Sequence, residues 1–153
     1  MLAPENEALV QNYLDLAVNA PEDLDRTLEL LSDECVWFIT PPGISFTGRE
    51  SLRRFVGVAM RSRSHDLVSK IEIRNWFAEG DHFCVEYHHE ATITGVHLHV
   101  AEDVCLVCHM QAGKFDRIHE YVDTSQSGWI ALGLKLLPLI VQVNSWRTAR
   151  SRH

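Results

Sequence analysis

Two hydrophobic periods divide this chain. Before about Met60 most apolar positions recur every three or four residues; from Asp66 onward they recur every two. Leu9, Val10, Tyr13, Leu14 and Val18 share one face of a helix over residues 4–19, with Pro4 suited to its first turn. Asn19-Ala20-Pro21 ends that helix, because the residue before a proline avoids the helical region. A second short helix starts near Glu22 and carries Leu24, Leu28 and Leu31; Asp33 and Glu34 stop it. Cys35–Thr40 is a strand, and Pro41-Pro42-Gly43 is a loop. Thr47 or Gly48 then caps a third helix that runs to about Met60 and buries Leu52, Phe55 and Val56.

The second half predicts strands. Val68, Ile71, Ile73 and Trp76 open the run, and Glu79-Gly80-Asp81 is a turn. Phe83, Val85, Tyr87, His89, Ala91 and Ile93 occupy one face of a long strand. Thr94-Gly95 predicts a two-residue turn, which pairs Ile93 with Val96, Thr92 with His97 and Glu90 with His99. Val104–Met110 is almost wholly apolar, the pattern of a central strand covered on both sides. Ala112-Gly113 turns the chain into a last strand, Phe115–Asp123. Three helices followed by an antiparallel meander predict an α+β fold with the helices on one side of the sheet.

Residues 1–125 form one domain under this reading, and 126–153 are an apolar, then basic, C-terminal extension expected to be helical. Trp129–Val143 has only Lys135 and Gln142 as polar members. Gly133 and Pro138 interrupt it, and it is too short for a membrane span. It is expected to pack on the domain or on a second subunit; a membrane-surface contact, with the arginines at its edge, is the alternative that is not favoured. All 21 acids lie at or before Asp123, and the extension carries Lys135, Arg147, Arg150 and Arg152. The net charge of −7 argues against a nucleic-acid partner. The four cysteines sit in apolar strand contexts and read as reduced, and the N-terminus lacks a basic flank and apolar run, so a cytoplasmic location is expected.

Three groups carry candidate chemistry. The predicted hairpin gathers His88, Glu90, His97 and His99 on one patch, a donor set suited to zinc or iron. That patch faces away from the apolar face, so it reads as an outer sheet surface with no metal, a metal site being the alternative. Cys105 and Cys108 are three apart on a strand and point to opposite faces, so one metal cannot easily take both, and no second such pair exists. On the apolar face, Tyr87 and His89 accompany Val85, and Glu120 is the polar member of the row Ile118, Glu120, Val122. A carboxyl group in an apolar cavity has its pKa raised and acts as acid or base near neutrality. A slip of one residue would put His119 and Tyr121 inside instead.

The segments Val10–Tyr13, Leu24–Trp37, Phe46–Leu52 and Gly113–Asp123 together resemble the nuclear transport factor 2-like superfamily, in its SnoaL-like and ketosteroid isomerase-like branch. The resemblance implies a cone, in which three N-terminal helices and a curved antiparallel sheet enclose a deep apolar pocket. It implies a small hydrophobic ligand, a homodimer and no cofactor. Tyr13 matches an oxyanion-hole tyrosine of the isomerases, while Ile39 or Thr40 stands where their base would be. Asp103 matches their second acid if the hairpin is longer by two residues. Against limonene epoxide hydrolase-like members, Tyr87, His89 and Glu120 fall on the Arg and two Asp positions, and Phe38 and Thr40 on the Tyr and Asn that hold water. The implied catalytic set is Glu120, His89, Tyr87 and Tyr13; the implied substrate-binding set is Trp37, Phe38, Thr40, Phe55 and Asp103. Proton transfer on a carbonyl or polycyclic substrate is the implied reaction class, with a non-catalytic binding or dimerisation module as the alternative.

Overall fold

The computed structural model describes residues 2–20, 23–41, 43–61, 67–93, 98–123 and 125. The expected Thr94-Gly95 turn and the extension 126–153 lie outside the described residues. Helix α1 spans Pro4–Asn19, α2 Leu24–Glu29 and α3 Arg49–Arg61. The strands are β1 Leu31–Thr40, β2 Ile44–Thr47, β3 Leu67–Glu79, β4 His82–Ile93, β5 Leu98–Gln111 and β6 Lys114–Asp123. They form one curved sheet in the order β2-β1-β6-β5-β4-β3.

Two of the helices start for local reasons. Pro4 fills the first turn of α1. The Asp23 carboxylate caps α2 by accepting from the Arg26 amide at 3.0 Å. The helices then cover one face of the sheet. From α1, Tyr13 meets Phe83 and Phe115 edge-on, with ring centroids at 5.5 and 5.8 Å. From α3, Phe55 stacks on Phe46 at 4.3 Å and meets Trp37 edge-on at 5.5 Å. The core beneath them is the alternate set Phe83, Val85 on β4, Val104, Leu106, Cys108, Met110 on β5, and Phe115, Ile118, Val122 on β6, all buried.

The sheet differs from the expected meander in five ways. It is mixed: β1 runs parallel to β6, pairing Trp37 with Ile118 and Ile39 with Glu120. A parallel pair needs a long crossover, and the chain between Thr40 and Lys114 supplies it. Strand β1 begins at Leu31, not Cys35, and α2 is shorter for it. Asp33 and Glu34 lie where the β1–β6 ladder is interrupted between Leu31 and Val36, so both acids stay exposed within a strand. Strand β2, absent from the prediction, pairs back on β1 with Trp37 opposite Phe46. The β4–β5 hairpin is longer than a two-residue turn allows: Ile93 pairs with Leu98 and Thr92 with His99. Finally, β5 is not covered on both sides among the described residues, since Val107 is 40% exposed. By contrast, the Ala112-Gly113 turn is a true two-residue hairpin. Gln111 pairs with Lys114, and both turn residues have positive φ.

Candidate functional site

The helix-covered face holds two polar clusters. In the first, the Trp37 indole N–H donates to Glu120 Oε2 at 2.7 Å. Glu120 is half-buried between buried Ile118 and Val122 along β6, with Ile39 and Leu106 as its cross-strand neighbours. The indole N–H therefore helps to orient this carboxylate, whose strand neighbours are aliphatic. In the second cluster, buried His89 holds Glu102 through Nδ1 at 2.8 Å. Glu120 and His89 are separated by two strand spacings and four residues of rise, which is about 16 Å between Cα atoms on a flat sheet. On this spacing His89 lies with Glu102 and Glu120 with Trp37. Tyr87 pairs with Val104, one step along β4 from His89 and closer to Glu120, whereas Tyr13 lies on the other side, against Phe83 and Phe115.

Phe38, Thr40 and Asp103 fall on the opposite, outer face. Alternation along β1 turns Phe38 and Thr40 away from Trp37. There the Phe38 ring meets His119 edge-on at 4.7 Å, and Thr40 Oγ1 lies 3.1 Å from His119 Nε2. Tyr121 stacks on the same imidazole at 4.1 Å, so the slipped register with His119 and Tyr121 inside is not the one adopted. Asp103 is bound by Arg74 at 2.9 Å and by His88 Nδ1 at 2.6 Å. The His88 hydrogen bond, helped by the guanidinium, holds the Asp103 carboxyl below the usual carboxylate range. A cavity of about 490 Å³ lies here, with Thr40, Arg74, Glu86, Asp103, Cys105 and Tyr121 among its lining. Strand alternation thus divides the expected lining set, with Tyr13, Trp37, Phe55, Tyr87, His89 and Glu120 on one face and Phe38, Thr40 and Asp103 on the other, although Tyr87 also lines the cavity beside Thr40 and Asp103.

A helix-backed curved sheet with such a face matches known folds. Residues 10–118 match the SnoaL-like domain family. The chain belongs to this family. Among solved structures, an LEH-like epoxide hydrolase from M. tuberculosis aligns with a TM-score of 0.62 at 21% identity, over 90% of this chain and 96% of that one. TerC, co-crystallised with polyporic acid, aligns with a TM-score of 0.64 at 18% identity, over 84% and 98%. A protein of ketosteroid isomerase-like fold from Catenulispora acidiphila, in complex with trimethylamine, gives 0.57 at 14% identity, over 74% and 83%. No curated protein matches the sequence.

Several partners in this SnoaL-like chain escaped sequence reasoning. A two-residue turn would set His89 opposite Val100; the observed register sets it opposite Glu102. The same shift sets Glu90 opposite Ala101 and not His99, so the predicted histidine patch is not assembled as expected. His88 instead reaches Glu90 at 3.4 Å, and His97 lies outside the described residues. Among the described residues no three His, Cys, Asp or Glu side chains converge as a metal site. The four cysteines are free thiols. Burial pushes the Cys35 thiol up to about 12 and raises Cys108, while Cys84, 3.7 Å from Cys105 on the outer face, rises to about 11 mainly through desolvation. No helix among the described residues is long and apolar enough to cross a membrane.

Proposed function

We propose that this chain binds a small, mostly apolar molecule on the helix-covered face and that Glu120 moves a proton on it without a cofactor. The observation that carries the reading is the Trp37–Glu120 pair: one carboxylate on a face of buried aliphatic residues, aimed by an indole N–H at 2.7 Å. A carbonyl compound with an adjacent acidic C–H suits this arrangement. Where a carbon–carbon double bond stands at the β,γ position, Glu120 takes the α proton, the C–H electron pair passes into the carbonyl as a dienolate, and return of the proton at the γ carbon gives the conjugated isomer. The phenols of Tyr13 and Tyr87 share the face and are the donors for the enolate oxygen. Family membership supports the reading, and so do the neighbours of the same fold that hold trimethylamine and polyporic acid. Binding without turnover is the second reading. It is supported by the pairing of His89 with Glu102, about four residues of rise along the sheet from Glu120.

The test is a thermal-shift screen of hydrophobic carbonyls, epoxides, steroids and polycyclic aromatics, run on wild type beside Glu120→Gln. Glutamine still accepts from the indole, so the fold is kept while the base is lost. A ligand that stabilises both proteins but is converted only by wild type supports proton transfer, with a loss of about 10²–10⁴-fold expected in the variant. Ligands bound and left unconverted by wild type would leave the binding reading. A turnover equal in both proteins would remove Glu120 from the chemistry.

A further inference from the structure

Two thiols outside the Glu120 and His89 clusters lie in contact on the outer face. Cys84 on β4 and Cys105 on β5 have their Sγ atoms 3.7 Å apart, and both residues are half-buried. The strand register accounts for the contact. Cys84 pairs with Val107 and Glu86 with Cys105, so the two cysteines are diagonal neighbours on one face of adjacent antiparallel strands. Diagonal positions are about 7–8 Å apart between Cα atoms, so sulfur contact means that both side chains lean toward one another. The other two cysteines are held away from this pair. Cys35 and Cys108 are fully buried in the core on the helix-covered face.

A disulfide brings two sulfurs to about 2.05 Å and their Cα atoms to about 4.4–6.8 Å. Closing this pair shortens the sulfur separation by roughly 1.7 Å and draws β4 and β5 together against their diagonal spacing. Strain of that kind makes a disulfide easier to reduce. The diagonal therefore suits a bond that forms because the thiols touch and reopens in a mild reductant, rather than a permanent staple. Burial, and then the hydrogen bond with Cys105, push the Cys84 thiol up to about 11, so it stays protonated at neutral pH. What singles out this pair is the closeness of the two sulfurs and not an unusually acidic thiol.

We infer that Cys84 and Cys105 are a reversible oxidation site that closes into a cross-strand disulfide, with a small peroxide as the oxidant. One thiol loses its proton and attacks the O–O bond, giving a sulfenic acid and a hydroxide that takes up that proton as water. The second thiol then attacks the sulfenic sulfur, and its proton leaves with the sulfenic oxygen as a second water. Two thiols are oxidised by two electrons in all, one S–S bond is made, and the peroxide is reduced to two waters. Cys105 lines the 490 Å³ cavity together with Tyr87, and it follows Val104, the cross-strand partner of Tyr87. Oxidation thus shifts a wall that one candidate catalytic group shares.

The full chain is treated with hydrogen peroxide, its remaining thiols are blocked after denaturation, and the protein is weighed. The expected result is a loss of about 2 Da before blocking, and of two of the four thiols. Proteolysis after glutamate then identifies the partners. Residues 80–86 hold Cys84 alone, residues 103–120 hold Cys105 with Cys108, and fragmentation tells those two apart. The link should join Cys84 to Cys105, and reduced glutathione should restore all four thiols. Cys84→Ser and Cys105→Ser should each abolish the linked species, and the mapping on wild type keeps the test decisive if either variant folds poorly. Sulfinic acid at either residue with no linked species would overturn the inference. So would a link that uses Cys35 or Cys108, a link between two chains, or a bond that glutathione leaves intact.

Discussion

Removing the indole donor of Trp37 tests the centre of the site with a number attached. The Trp37–Glu120 bond is 2.7 Å long and joins two half-buried groups. A hydrogen bond to a charged group contributes about 1.5–3 kcal/mol, and partial exposure places this one in the lower half, about 1.5–2 kcal/mol. Trp37→Phe also disturbs the edge-on contact with Phe55, worth about 0.5–1.5 kcal/mol, so the single variant mixes two effects. A double-mutant cycle with Glu120→Leu separates them, because the ring contact is lost in both backgrounds and cancels. The coupling should appear in urea unfolding as about 1.5–2 kcal/mol, and in thermal unfolding as about 3–8 °C. Additivity within about 0.5 kcal/mol would mean that the indole does not hold the carboxylate. In that case the orientation argument for Glu120 as base fails with it.

Three further outcomes follow from named contacts. Gly113 has φ +68°, and a Cβ there would meet Glu5 Cβ at 3.3 Å, so Gly113→Ala should lose about 1 kcal/mol or more of stability by urea unfolding; an unchanged midpoint would refute the strained turn. Phe83 is fully buried among Tyr13, Trp76 and Phe115, and Phe83→Ala should cost about 3–5 kcal/mol, with a loss under 1 arguing against the packing. His109 reaches Asp116 at 2.5 Å and Asp81 at 3.1 Å; chiefly the Asp116 hydrogen bond raises its pKa, against desolvation. Desolvation pushes the Asp81 carboxyl up, but the His109 hydrogen bond and the His82 charge outweigh it and lower its pKa. A raised histidine stabilises below its unfolded value and loses that as pH rises through the folded one; a lowered aspartate stabilises above its unfolded value and loses that as pH falls. The melting-temperature gap between wild type and His109→Gln should therefore be widest between about pH 4 and 6.5 and narrow above it, and a flat gap would refute the network.

Face assignment was open to sequence reading because it depends on parity alone. Val85, Tyr87 and His89 differ by two, as do Ile118, Glu120 and Val122, and each set lies on one face as expected. The same parity places Phe38 and Thr40 opposite Trp37, so their assignment to one lining set came from the family resemblance and not from the pattern. Partners across strands were a different matter, since they depend on loop length. The two-residue turn assumed at Thr94-Gly95 is shorter than the observed connection, and that one difference hid Glu102 behind His89. Neither the parallel β1–β6 pairing nor β2 leaves a local trace. Ile44–Thr47 is only four residues long, and the β1–β6 contact is between segments far apart in the chain.

The curved sheet thus separates two chemistries through one thickness of backbone. Toward the helices, Glu120 accepts from the Trp37 indole and Glu102 lies against His89 among mostly apolar side chains. Away from them, the carboxylates Glu86, Asp103 and Asp123 gather about one cavity beside exposed Phe77 and Val107. Substitutions at even and odd positions of β6 should therefore act on different properties. Glu120 bears on what the protein does to a ligand. Asp123 and Tyr121, one face over, bear on the cavity of the outer face.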